Sequence, residues 1–222
     1  MHIEFLIEDA SGKNMLEVLL PKIYEGREDV TWTVHPYKGI GTMPQKGTCK
    51  VDPKVIRHRA LLDNLPRLLA GYGHAWTAAH VQDQYAVVVV CDLDDHDQTA
   101  FMGELNKLLM KCREQPTTRF CFAIEEGEAW LLGDSSAVKM AYPKYKAIIL
   151  SKYRQDSICG TWEKLADAVY PGGSMALAKR GYQAVGAEKC KWAEMITPHL
   201  NVTKNRSPSF QQFRQTIENL VS

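Results

Sequence analysis

The sequence lacks the features that define several large classes of protein. Its six cysteines show no CxxC or Cx₂₋₄C spacing, which argues against a zinc site. Its longest uninterrupted apolar run, residues 86–91, is far too short to cross a bilayer, so no membrane association is expected. The formal net charge of +1 provides no overall basic field. Any binding of nucleic acid must therefore depend on a local basic patch or on a partner subunit.

The opening segment and the cysteines predict a cytoplasmic location. MHIEFLIEDA has no basic region, no long apolar core and no small-residue cleavage site, so a strand is expected there and not a signal peptide. Cys91 and Cys121 fall in predicted buried strands, where a thiol behaves as a small hydrophobic group. We expect all six cysteines to be reduced, as is usual in the cytoplasm.

What the sequence does contain is three clusters of carboxylates, each at the end of an apolar run. The runs are IEFLIED, YAVVVVCDLDD and RFCFAIEEGE, and their acidic residues are Glu8 and Asp9, then Asp92, Asp94 and Asp95, then Glu125, Glu126 and Glu128. If the runs are parallel strands of one sheet, the carboxylates emerge at the same carboxyl edge, where open α/β sheets bind ligands. Crowded carboxylates repel one another, and Mg²⁺ relieves that repulsion through oxygen ligands.

The order of apolar patterns predicts an α/β fold with a mostly parallel sheet flanked by helices. Strands are expected over residues 2–8, 30–36, 85–91 and 119–125. Helices are expected over residues 11–24 with Ser11 as N-cap, over 55–73 with a break near Pro66, and over 99–113, while 37–51 is expected to be a loop.

Strand-like runs become rare after about residue 135. We therefore expect a single domain over residues 1–222, with a core over about 1–135 and a helical C-terminal extension over about 136–222. Within that extension, residues 187–200 and 208–221 have helical patterns.

These residues resemble the TOPRIM fold, a Rossmann-like catalytic module of topoisomerases, bacterial primases and the overcoming-lysogenization-defect nucleases. The resemblance begins with Glu8 after a first strand and with Asp92-Leu93-Asp94 after a central strand. Within that group the whole chain is similar to a bacterial family of uncharacterised TOPRIM-like proteins. The matching segments are IEFLIED, HPYKGIG, VVVVCDLDDHD, AIEEGEAWLLGD, GTWEKL and the C-terminal NRSPSFQQF.

The resemblance implies a site for Mg²⁺ or Mn²⁺. Glu8 matches the TOPRIM glutamate, and Asp92 and Asp94 match its DxD pair, so these three are the expected metal ligands and catalytic residues. Nucleases of the overcoming-lysogenization-defect type carry a second glutamate four residues after the first, where this chain has Gly12. Glu125, Glu126 or Glu128 could supply the missing carboxylate from the third acidic run.

Three basic residues are candidates for contacts with substrate phosphate. Lys13 stands near a predicted helix N-terminus, Lys38 in a glycine-rich loop and Arg206 beside hydroxyl side chains. SGKN around Lys13 lacks the upstream glycine of a P-loop. Each candidate has a structural alternative, because all three positions are also typical of surface loops and helix ends.

Structural interpretations are preferred for several other conspicuous residues. Asp95 and Asp97 are expected at the acidic start of a helix, and Trp130 and Trp162 in the core rather than stacked on bases.

The leading functional prediction is Mg²⁺-dependent, nuclease-like phosphodiester chemistry on DNA or RNA. Analogy with the fold adds an AAA-type or SMC-like ATPase as partner and a role in phage defence. The alternative, which Gly12 favours, is a non-catalytic subunit that only binds such an ATPase. A third class is a small-molecule phosphate-binding enzyme that uses Lys13 and Lys38.

Overall fold

The computed structural model describes residues 1–43, 60–157 and 160–222 and has an α/β architecture. Its sheet consists of β1 (His2–Ile7), β2 (Thr31–Pro36), β3 (Tyr85–Asp92) and β4 (Thr118–Ala123). The helices are α1 (Ala10–Ile23), α2 (Leu61–Ala78), α3 (Gln98–Met110), α4 (Glu128–Leu132), α5 (Ser135–Ala141), α6 (Ala147–Ser151), α7 (Thr161–Val169), α8 (Gly173–Ala178), α9 (Tyr182–Ile196) and α10 (Pro208–Glu218).

All strand pairs in the sheet are parallel, in the order β2-β1-β3-β4. Ile7 pairs with Val90, and Asp92 pairs with Ala123, so β1, β3 and β4 end at the same edge. The predicted fold class, a parallel sheet flanked by helices in a Rossmann-like arrangement, is confirmed. The shared edge is where the acidic residues that follow these strands emerge.

Alternate residues of the central strands face two separate hydrophobic layers. Phe5, Val88 and Val90 belong to the larger layer, which also contains buried residues of α1, α9 and α10. Val87 and Val89 belong to the smaller layer, together with buried residues of α2 and α3. Because both faces are covered, β3 is apolar from Ala86 to Cys91, as buried parallel strands usually are.

The last third of the chain packs into the larger layer. Trp192 of α9 and Phe213 of α10 are almost fully buried. Phe213 stacks on Trp130 with ring centroids 4.8 Å apart and meets Phe5 of β1 edge-on at 6.4 Å. The C-terminal helices therefore support the strands that carry the acidic edge. The core position predicted for Trp130 is confirmed.

Two details of the predicted helices were wrong. The N-cap of α1 is Asp9, whose Oδ1 accepts a hydrogen bond from the Gly12 amide at 2.7 Å, while Ser11 donates its hydroxyl to the same carboxylate. A carboxylate favours this end because it also complements the helix dipole. Helix α2 continues unbroken through Pro66, because Leu65 and Leu69 bury their side chains in the core and offset the missing backbone hydrogen bond.

The predicted position of Asp97 at the start of a helix is confirmed. Asp97 caps α3 through the Ala100 amide at 2.7 Å, and Ser207 caps α10 through the Phe210 amide at 3.2 Å. Residues 55–59 of the predicted second helix and 44–51 of the predicted loop lie outside the described residues.

No helix within the described ranges combines the length and the apolar character needed to cross a membrane. Cys91, Cys112, Cys121 and Cys190 are thiols, whereas Cys49 and Cys159 lie outside the described residues.

Candidate functional site

A small acidic cavity lies at the carboxyl edge of the sheet. Its volume of about 20 Å³ is enough for one water molecule or one ion. Its charged lining residues are Glu8, Asp9, Asp92, Glu128 and Lys189. Four separate elements of the chain contribute these side chains, so the tertiary fold creates the cavity.

Glu8 and Asp92 form the centre of this site. Glu8 follows β1 directly, Asp92 is the last residue of β3, and the Asp92 amide donates a hydrogen bond to Glu8 Oε2 at 3.3 Å. Burial raises the pKa of Glu8 to about 7, opposed by that amide and reinforced by the charges of Asp94 and Asp9. Burial and the neighbouring Glu8 charge also raise the pKa of Asp92. The two carboxylates therefore resist being ionised together, and a bound cation would relieve that resistance.

Asp94 stands beside this pair but does not line the cavity. Its backbone is left-handed (φ 48°), and its amide donates a hydrogen bond to the Glu125 carbonyl at 3.1 Å. Asparagine and aspartate adopt this conformation more readily than most residues do. Burial and the charge of Glu126 raise the pKa of Asp94. The DxD pair is thus split, with one aspartate in the cavity and the other at its side.

Glu125 and Glu126 hold neighbouring elements together. The Glu125 carboxylate accepts hydrogen bonds from the amides of Gly160 and Thr161, the latter at 3.3 Å, and so anchors the start of α7. Glu126 accepts a hydrogen bond from the Thr161 hydroxyl at 3.3 Å and contacts Lys189 Nζ at 3.1 Å. Neither residue lines the cavity, so the structure brings them to the site as supports.

The residue that sequence reasoning missed is Lys189. Its Nζ lies 3.1 Å from Glu128 Oε2, and the two side chains are 14% and 3% exposed. Burial alone would lower the pKa of Lys189, but the charges of Glu128, Asp92, Glu126 and Asp9 raise it overall. Burial raises the pKa of Glu128 to about 7 even though Lys189 opposes the shift. Lys189 is therefore a fixed internal counter-ion for one side of the acidic edge.

A sequence signal for Lys189 did exist. It stands three, four and seven residues before Trp192, Ala193 and Ile196, the buried residues of α9. That spacing puts the lysine on the apolar face of the helix. A lysine on such a face needs a buried partner, which the acidic runs supply.

The chemistry of the cavity fits one hard cation. Across residues 1–43, 60–157 and 160–222, no group of three or more His, Cys, Asp or Glu side chains is arranged to hold a metal ion. Mg²⁺ does not need such a group, because it often binds through one or two carboxylates and completes its shell with water and substrate phosphate. Glu8 and Asp92 supply two such carboxylates at one ion-sized space.

Packing around Gly12 disfavours a glutamate at this position of α1. A Cβ atom at this position would lie 2.5 Å from Ile7 Cδ1 and 2.8 Å from Ile7 Cγ1, closer than real Cβ contacts. A side chain at position 12 would therefore require the buried Ile7 side chain to shift. Glu128 reaches the cavity from α4 instead, but it arrives already paired with Lys189.

The three basic candidates lie away from the cavity lining. Lys13 pairs with Glu17 along α1 at 3.4 Å, and Lys38 and Arg206 are exposed. The neighbours of Arg206 have structural contacts, since Asn205 donates from Nδ2 to the Trp130 carbonyl at 2.8 Å. Their assignment to substrate binding stays a prediction.

Comparisons with known proteins place the chain in a family. A family model described as "Domain of unknown function (DUF4276)" matches residues 7–218. Neither the curated proteins nor the solved structures gave a match. The matched range includes both central carboxylates and Lys189, and it spans nearly the whole chain. The chain therefore belongs to the DUF4276 family.

Proposed function

We propose that this protein performs divalent-cation-dependent phosphodiester chemistry on nucleic acid at the Glu8–Asp92 edge. The observation that carries the proposal is the cavity itself, in which two adjacent carboxylates at parallel strand ends face an ion-sized space. The resemblance to TOPRIM modules, with Glu8 and the Asp92–Asp94 pair at matching positions, supports the same conclusion.

In this mechanism Glu8 and Asp92 would hold Mg²⁺ or Mn²⁺, with Asp94 beside them, and the bound ion would supply charge neutralisation and polarisation of the phosphodiester. Without the ion, burial raises the pKa of Glu8 to about 7, so a cation that binds this carboxylate at neutral pH would displace its proton. Lys189 contributes a permanent positive charge at the wall of the cavity and keeps the carboxylates of Glu126 and Glu128 in place.

Assays of plasmid, single-stranded DNA and tRNA with Mn²⁺ test this proposal. The isolated chain should cleave weakly, because its charge of +1 gives little attraction for phosphates. Glu8→Gln and Asp92→Asn should abolish cleavage and remain folded. Asp95→Asn is the matched control, since this aspartate follows the same strand but is exposed. Equal cleavage by Glu8→Gln and the wild type would refute the assignment.

A second candidate is a non-catalytic subunit that binds a partner ATPase. Two observations favour it: Lys189 already neutralises part of the acidic edge, and position 12 carries a glycine where a second glutamate would have to displace Ile7. Under this function, an AAA-type or SMC-like ATPase would copurify equally with the wild type and with Asp92→Asn, and neither would cleave nucleic acid. A role in phage defence and a cytoplasmic location belong to both proposals.

A further inference from the structure

A second charged region of the chain is basic instead of acidic. Residues 135–155 contain five cations and no aspartate or glutamate, in a chain whose net charge is only +1. The cations are Lys139, Lys144, Lys146, Lys152 and Arg154. All five are exposed, and none forms an ion pair within the described part of the chain. We call residues 135–155 the basic segment.

The basic segment forms an open concavity of about 300 Å³ with the end of α7. Its lining residues are Ala141, Tyr142, Pro143, Lys144, Tyr145 and Val169. This volume lies at the lower end of the range for small-ligand sites. Tyr142 and Tyr145 are half-buried and pack partly against the larger hydrophobic layer, which fixes their rings. A rigid aromatic wall beside lysines is suited to a flat, anionic ligand.

Nearby acidic side chains do not cancel this charge. Asp167 is close enough to Lys146 for the lysine to lower its pKa, but the two form no ion pair within the described residues, and the Asp167 carboxylate accepts a hydrogen bond from the Ser174 amide at 2.8 Å. Glu188, which acts on Tyr142, forms an ion pair with Lys191 at 3.3 Å. The exposed lysines of the concavity therefore remain available to an external anion.

Helix α7 connects the concavity to the acidic edge. Its first residue, Thr161, contacts Glu125 and Glu126, and its last residue, Val169, lines the concavity. Nine helical residues span about 13 Å at 1.5 Å each. A chain of a few nucleotides is long enough to cover that distance.

We propose that the basic segment and Val169 form a binding site for single-stranded nucleic acid. An unpaired base stacks on Tyr145, beside Tyr142, and the flanking phosphates contact Lys144 and Lys146. A duplex keeps its bases inside the helix, so it cannot use the aromatic wall. This proposal rests on the proposed function, because it specifies which form of nucleic acid would be the substrate of the acidic edge.

Fluorescence anisotropy with labelled oligothymidine and oligouridine, in EDTA, tests this site without any catalysis. Tyr145→Leu should weaken binding about tenfold, within the range found for removal of one base-stacking aromatic, while Tyr145→Phe should bind like the wild type. Lys144→Gln/Lys146→Gln should make the slope of log affinity against log salt shallower by roughly 0.7 for each phosphate that the lysines no longer neutralise. Lys107→Gln/Lys111→Gln is the charge-matched control, because both of these exposed lysines lie at the end of α3 in the other layer.

The outcomes separate this proposal from the catalytic one. Loss of binding in Tyr145→Leu and in the Lys144/Lys146 variant, with retention in Asp92→Asn and the control, supports the site even if no variant cleaves anything. Equal affinity for a duplex of the same length, or preference for polyglutamate, would overturn the proposal. It would also be overturned if Tyr145→Leu bound as tightly as the wild type, or if the Lys107/Lys111 control lost as much affinity as the Lys144/Lys146 variant. A melting curve for each variant shows that the comparison is made between folded proteins.

Discussion

Two carboxylate pairs lie at the same edge of the sheet and differ in how their charge is balanced. Glu126 and Glu128 share one buried cation, Lys189, at 3.1 Å from each. Glu8 and Asp92 form no ion pair within the described residues, and an amide hydrogen bond of 3.3 Å joins them. Burial raises the pKa of Glu128 as well as those of Glu8 and Asp92, but the first pair has a cation in direct contact, whereas the second has none. An added cation or a proton would supply what the second pair lacks.

This difference shows that acidic clusters at the carboxyl edge of one sheet can have different roles. Glu126 and Glu128, which follow β4, contact Lys189 of α9, and Glu126 also contacts Thr161 of α7. We call these two glutamates the β4 side of the edge. The pair on β1 and β3 lines an ion-sized space. Variants on each side can test that division, beginning with the largest expected effect.

Removal of Lys189 should cause the largest loss of stability. Lys189→Met leaves Glu128 buried without its cation, and breaking a buried ion pair from one side costs about 3 kcal/mol. The loss should be measured by urea denaturation at pH 8 and should shrink at pH 5, where Glu128 is protonated. Lys191→Met removes an exposed lysine that pairs with the partly buried Glu188 within one helical turn, and it should cost less than about 1 kcal/mol.

The absence of such a loss would contradict the structural role assigned to Lys189. If Lys189→Met were as stable as Lys191→Met at pH 8, Lys189 would not be the counter-ion of the β4 side. Glu128→Gln in the Lys189→Met background should recover part of the lost stability, because it removes the uncompensated charge.

Gly12→Glu should fail to convert the Glu8 side into a site with three carboxylates. The new Cβ would displace Ile7, and overpacking of this kind costs about 1–3 kcal/mol. Gly12→Ala carries the same clash without the charge, so it should lose similar stability in the same denaturation experiment. Tighter Mn²⁺ binding in Gly12→Glu at unchanged stability would contradict the packing argument.

Divalent cations should stabilise the folded protein through the Glu8 side alone. At a concentration tenfold above Kd, a site present only in the folded state contributes about 1.4 kcal/mol. Mn²⁺ should therefore raise the melting temperature of the wild type and of Glu126→Gln but not of Asp92→Asn. An equal rise in all three proteins would indicate nonspecific binding.

The last predicted effect is a dependence of stability on pH that arises from Glu8. Folding raises its pKa from 4.5 to about 7, so the folded state binds the proton more tightly, and stability falls as pH rises through that window. Glu8→Gln removes this fall. Its melting temperature should match the wild type near pH 4.5 and exceed it by a few degrees above pH 7, without added metal. A constant difference from pH 4.5 to pH 8 would show that the charge of Glu8 is not the cause.

Much of the fold could be predicted from the sequence because its signals are local. The run Ala86–Cys91 is apolar and β-branched, so the central strand was evident, and parallel strands that end together explain why Glu8 and Asp92 meet. The cap of α1 was misassigned because Asp9 and Ser11 are both good capping residues and only the geometry distinguishes them.

The balance of charge at the site could not be predicted in the same way. Lys189 comes from a helix almost a hundred residues after Asp92, and its contacts exist only once α9 packs against α1 and α4. Likewise, the steric role of Gly12 depends on Ile7 lying directly beneath it. Such contacts arise from tertiary packing, which periodicity and local propensity do not encode.

The most direct test of the central claim is a calorimetric titration of Mn²⁺ into the wild type, Glu8→Gln, Asp92→Asn and Glu126→Gln. If the Glu8–Asp92 pair is the cation site, the wild type and Glu126→Gln bind one ion per chain, and Glu8→Gln and Asp92→Asn lose that binding. Saturable binding that survives in both Glu8→Gln and Asp92→Asn, or no saturable binding in the wild type, would contradict the account.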